Sequence, residues 1–126
     1  MKIKTMKQDL TAFIRGFKYA YDGILVGIQE RNMRVHILAA VVVMVSGLLV
    51  GLERYEWIVI AILIGAVWSA ELFNTAIENL ADILRDEDHL SYQATKNARD
   101  LAAGAVLVVS IAAAVVGLMI FVGKFI

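Results

Sequence analysis

The chain contains no cysteine and no proline, and its twelve basic and twelve acidic residues cancel. Without cysteine, a disulfide framework and thiolate metal sites are excluded. Without an excess of positive charge, nothing argues for a nucleic-acid partner, and none is expected. Lys2, Lys4 and Lys7 make the N-terminus lysine-rich, but no short apolar segment with a small-residue cleavage site follows directly. No cleaved signal peptide is therefore read. What the chain holds in abundance is apolar sequence, 60% of its 126 residues. That excess is concentrated in long uncharged runs, which points to a single domain of the membrane class.

Taken in order, residues 6–29 read as an amphipathic helix. Leu10, Phe13, Phe17, Ala20, Ile24 and Ile28 recur at helical spacing opposite Lys7, Thr11, Arg15, Lys18 and Asp22. Such a helix suits the headgroup region, with the N-terminal lysines drawn to anionic lipid; a soluble cap on the bundle is the alternative. Glu30 to His36 reads as a polar hinge. Three transmembrane helices are expected over 35–52, 57–82 and 101–123, each long enough to cross a bilayer. Glu53 to Glu56 is a tight connection whose glutamates read as solvated, and Trp57 is an interfacial anchor. Residues 83–100 read as a polar loop. The third span is rich in small residues, with Ala113 and Gly117 at a spacing that favours close helix contact. The expected fold is an all-α membrane protein, three transmembrane helices plus an N-terminal amphipathic surface helix.

Orientation follows from basic residues outside the spans. Residues 1–34 hold seven, the 53–56 turn one and the 83–100 segment three. The positive-inside rule then puts the N-terminal helix and the 83–100 loop in the cytoplasm.

The second span carries the chemistry. Fourteen uncharged residues, Trp57 to Ala70, run into Glu71, Asn74, Glu78 and Asp82, spaced three, four and four apart. At about 100° per residue the three carboxylates fall within roughly 20° of one helical line, with Asn74 about 60° aside. Acidic side chains at the bilayer centre cost on the order of 3 kcal/mol each, which makes them a functional hypothesis by default. Asp82 is the cytoplasmic end of the line, and Glu71 lies about 16 Å deeper at 1.5 Å per residue.

Three classes of function fit such a line: a proton or cation pathway, metal-assisted chemistry on a substrate in the membrane, or polar contacts in an oligomer. A pathway would continue polar residues through the opposite leaflet, where only Ser46, Trp68 and Ser69 are available. Carboxylates suit Mg²⁺, which keeps waters and bridges nucleotide phosphates. Phosphoryl transfer asks for little more than metal, positioning donors and a residue to orient or deprotonate the nucleophile. The segments beside the line offer Arg31, Arg34, Lys96 and Arg99. There is neither a Gly-x-x-x-x-Gly-Lys-Ser/Thr segment nor a Gly-rich kinase loop, so a conventional nucleotide cradle is excluded.

The run Glu71-x-x-Asn74-Thr75-Ala76-Ile77-Glu78-x-x-x-Asp82, followed by Ala98 to Leu107 (ARDLAAGAVL), resembles the prokaryotic integral-membrane diacylglycerol kinase family. The resemblance covers nearly the whole chain. Glu30-Arg31-Asn32 and the Ala-Ala-Gly-Ala element are more similar to the Gram-positive branch, whose members are undecaprenol kinases. It implies a homotrimer in the bacterial inner membrane, with ATP as co-substrate and shared active sites at the cytoplasmic face. It further implies that Glu71 is the general base for the lipid hydroxyl, either undecaprenol or diacylglycerol, with Ala103 at the lipid site. Glu30 and Glu78 would hold Mg²⁺ on the ATP phosphates, supported by Asn74 and Asp82. Arg99 and Asp100 stand where the family has a nucleotide-contacting Lys-Asp pair, Glu87, Asp88 and His89 match its loop near the adenosine, and Tyr19 an aromatic position of the surface helix. Two departures stand out: Arg99 replaces the lysine, and Ala12 occupies the position of an arginine in the proteobacterial enzyme.

Overall fold

The computed structural model describes residues 6–126; Lys2 and Lys4, and the side chain of Lys7, lie outside the described residues. Among the described residues all regular structure is helical: α1 Met6–Gly27, α2 Arg31–Val50, α3 Arg54–Asp86 and α4 Tyr92–Gly123. The helix α3 is the axis of the fold, packed along α4 and touching both α2 and α1. By length and composition α2, α3 and α4 can each cross a membrane. With 33 and 32 residues, α3 and α4 are each about 50 Å long, well beyond a ~30 Å hydrocarbon core.

Each boundary has a local cause. The segment read as a polar hinge is helical from Arg31, because Glu30 takes extended backbone at the N-cap and Arg31 to His36 continue the turn beyond it. Hydropathy marks where lipid contact begins, whereas helix formation extends into the polar flank. α2 stops at Val50 and not at 52, since Gly51 adopts φ 71°, a left-handed cap that ends a helix and favours glycine. A reciprocal capping box between Glu53 and Glu56 starts α3 at Arg54, ahead of Trp57. At the other end α3 runs on to Asp86. α4 begins at Tyr92, where the Ser91 hydroxyl accepts from the Ala94 N–H at 3.3 Å. The expected 83–100 loop therefore shrinks to residues 87–91, in which His89 has φ 55°. The first helix ends at Gly27, short of 29.

A second correction concerns Glu56. It is buried at 6% exposure, not solvated. Its carboxylate accepts from the Glu53 N–H at 2.7 Å and lies 2.6 Å from Lys124 Nζ, just past the end of α4. The hydrogen bond to Glu56 holds the Lys124 ammonium above the usual lysine range. α3 and α4 are thus clasped at the end opposite the acidic line.

The helix α1 meets α3 through Gly27 and Leu72, an approach so close that any β-carbon at 27 would collide with the leucine side chain. Most of α1 is otherwise exposed. Phe13 and Phe17 form an edge-to-face pair 5.1 Å apart on it, both more than half exposed.

Candidate active site

Glu71 is 2% exposed and Asn74 3%, on the part of α3 where α1 and α2 also approach. A carboxylate buried to this degree among apolar helices demands compensation. The start of α2 supplies it. The His36 Nε2 lies 3.9 Å from Glu71 Oε2, and the Asn32 amide and the Glu30 charge also act on this carboxylate. The helical start of α2 at Arg31 puts Asn32 and His36 one turn apart, which is why both reach the same group.

One turn along α3, Asn74 Nδ2 donates to Glu78 Oε1 at 3.1 Å, and Asn74 Oδ1 is buried without a partner. A buried amide oxygen left unpaired costs about 1–3 kcal/mol. It is an oxygen donor beside a carboxylate. Among the described residues no three His, Asp or Glu side chains converge on a metal position. Mg²⁺ does not require that, since it takes one or two protein carboxylates and fills the remaining positions with water and phosphate. The all-oxygen chemistry of Glu78, Glu30 and Asn74 Oδ1 fits such an ion.

Further along α3, Asp82 gathers two arginines. Arg99 Nη2 donates to Asp82 Oδ1 at 2.8 Å, and Arg85 Nη1 lies 2.9 Å from the same oxygen. Arg99 also donates through Nε to the Thr95 hydroxyl at 3.4 Å, and its guanidinium sits 5.3 Å from the Tyr92 ring centroid. Its side chain is only 13% exposed.

Glu71, Asn74, Glu78, Glu30 and, at the end of the line, Asp82 with Arg99 are thus brought to one side of α3. Among the described residues, the other expected positions are not joined to this line by a hydrogen bond or ion pair of their own. Tyr19 is exposed on α1, Asp100 is paired with Lys96 on α4, Ala103 is exposed on α4, and Glu87, Asp88 and His89 form the exposed turn between α3 and α4. Sequence reasoning passed over Asn32, Arg85 and Thr95, and gave His36 no role. A polar residue one turn from Asn32 at the head of a span was the available signal for His36.

The family profile for prokaryotic diacylglycerol kinase matches residues 18–121. The chain is 40% identical over 125 residues to "Undecaprenol kinase" of Bacillus subtilis (strain 168), covering 98% of this chain and 99% of that one. It is 36% identical over 102 residues to "Diacylglycerol kinase" of Synechocystis sp. (strain ATCC 27184 / PCC 6803 / Kazusa), covering 80% of this chain and 57% of that one. No solved structure gives a significant match. A helical membrane protein with a buried acidic line, matched over most of its length by this profile, belongs to the prokaryotic diacylglycerol kinase family.

Proposed function

We propose that this chain is an ATP-dependent kinase of a membrane lipid alcohol, and that the alcohol is undecaprenol. The observation that carries the reading is a 2%-exposed Glu71 followed by Glu78 on α3, in a chain 40% identical over 98% of its length to an undecaprenol kinase. Diacylglycerol is the second reading, supported by the Synechocystis relative and by the description of the family.

Glu71 is the general base. Removed from water, it meets a hydroxyl only if the lipid headgroup descends to it, which keeps competing water away from the phosphoryl group. Glu30 and Glu78 hold Mg²⁺, with Asn74 Oδ1 supporting them. When bound, Mg²⁺ neutralises charge on the transferring phosphoryl group. Arg99, fixed by Asp82, Thr95 and Tyr92, faces the nucleotide with a pre-set guanidinium fork in place of a mobile ammonium.

The chain acts as a homotrimer in the bacterial inner membrane, with α1 as an amphipathic helix on the cytoplasmic surface. The support for shared sites is that Tyr19, Asp100, Ala103 and the Glu87–His89 turn are exposed on a single chain, free to meet a neighbouring copy. A neighbouring copy supplies them, and the nucleotide and lipid each span two subunits. The seven basic residues of 1–34 support a cytoplasmic location for that face.

The test is transfer from γ-labelled ATP by purified protein offered undecaprenol and diacylglycerol together. Label in undecaprenyl phosphate is the expected result. Predominant label in phosphatidic acid would move the substrate to diacylglycerol, and label in neither would remove the kinase reading.

A further inference from the structure

A base buried as deeply as Glu71 must lose the proton it takes before it can act again. At 2% exposure it has almost no contact with solvent. The groups acting on its carboxylate are His36, Glu78, Asn32 and Glu30. Asn32 is an amide and cannot take a proton from a carboxylic acid. Glu30 and Glu78 are committed to the metal in the reading above. His36 is the remaining base. We propose that His36 accepts the proton from Glu71 in each turnover and passes it out of the buried site.

The placement of His36 suits that task. Its Nε2 lies 3.9 Å from Glu71 Oε2, and its side chain is 23% exposed against 3% for Glu71. The imidazole stands five residues into α2, one turn from the polar start that carries Arg31, Asn32 and Arg34, and so joins the buried carboxylate to that end of the helix. At 3.9 Å the pair is an ion-pair contact and not yet a hydrogen bond. Contacts between catalytic groups are commonly long before substrate binds and tighten afterwards. Imidazole is the side chain suited to handing on protons near neutral pH.

His36 also lines a cavity of about 310 Å³ between α2, α3 and α4. There α4 contributes Ser110, Ala113, Ala114 and Gly117, and Ser110 carries a buried hydroxyl without a partner. The charged groups that act on the pair are Glu78 from α3 and Glu30 at the head of α2, while α4 lines the cavity with one polar group, the Ser110 hydroxyl.

As the lipid hydroxyl oxygen bonds to the γ-phosphorus, the bond from that phosphorus to the β–γ bridging oxygen breaks and its electron pair leaves with ADP. The hydroxyl proton goes to the Glu71 carboxylate, then to His36 Nε2, and from the imidazolium to water. His36 acts through Glu71 and is a positioning residue, not one that touches substrate. The inference rests on the kinase reading above.

The experiment compares the full-length protein with its His36→Gln and His36→Ala variants, following transfer from ATP to undecaprenol across pH. For His36→Gln, kcat is expected to fall roughly 10²-fold, the low end for an assisted proton transfer. The KM values for ATP and lipid stay unchanged, and the acid limb of the pH profile changes shape. In His36→Ala, added imidazole restores part of the rate. An unchanged kcat in His36→Gln overturns the inference. So does a lower kcat with an unaltered pH profile and no response to imidazole, since that marks a structural role. If the unmodified protein transfers phosphate to no lipid alcohol, the kinase reading falls and this inference with it. If it does, and Glu71→Gln is inactive, a failure of the His36 variants counts against His36 alone.

Discussion

Arg99 on α4 donates to Asp82 on α3 at 2.8 Å, across 17 residues of chain and at the polar end of the acidic line. Asp82 is shared with Arg85, while Thr95 and the Tyr92 ring hold the other parts of the Arg99 guanidinium. The arginine is therefore a fixed fork with several donors assigned, where a lysine would offer one rotatable ammonium.

Arg99→Lys keeps the charge and loses that fixation. Its KM for ATP is expected to rise roughly tenfold, about 1.4 kcal/mol, with the KM for lipid unchanged. Steady-state kinetics with each substrate varied checks this; an equal change in both KM values would detach Arg99 from the nucleotide.

Glu78 accepts the Asn74 amide at 3.1 Å and is proposed to share the metal with Glu30. Glu78→Gln keeps a carbonyl oxygen in place and removes the charge. The Mg²⁺ concentration for half-maximal activity is expected to rise by about tenfold or more, the size of losing one charged ligand contact. A titration superimposable on that of the unmodified protein would contradict the assignment.

Removing Lys124 leaves the buried Glu56 carboxylate without its cation at the far end of α3, held only by the Glu53 N–H. Lys124→Gln is expected to lower the melting temperature while leaving the KM for ATP unchanged, because the clasp lies away from the acidic line. The Lys124 ammonium is held above its ordinary range. The contribution is then fully present below the pKa of an unfolded lysine and lost as pH rises through the folded value. The hydrogen bond from Lys124 also holds the Glu56 carboxyl below its ordinary range, so the stability gap between the two proteins should hold through neutral pH and close in strong alkali and in strong acid. A gap already closed at about pH 8, well under the ordinary lysine range, would assign the effect to another group.

The acidic line is legible in the sequence because charge inside an uncharged run is expensive and therefore conspicuous. Helical spacing is enough to align Glu71, Glu78 and Asp82. The three long helices are legible for a similar reason, as hydropathy persists over many residues. Helix ends are not: Arg31, Asn32, Arg34 and His36 are polar yet continue α2, and capping at Glu53 and Ser91 is set by local backbone bonds that hydropathy does not register. Contacts between helices are the least legible. His36 with Glu71 and Lys124 with Glu56 depend on the register of one helix against another, which no single segment encodes. Glu56 is misjudged on that account, since a glutamate in a short turn reads as solvated until Lys124, far along the chain, is found beside it.

The most direct test of the account is phosphoryl transfer by Glu71→Gln. The amide keeps the shape of the buried side chain and cannot take a proton from the lipid hydroxyl. The account predicts loss of transfer to undecaprenol by about 10²-fold or more, with the oligomer and ATP binding intact. Normal turnover in that variant would contradict it.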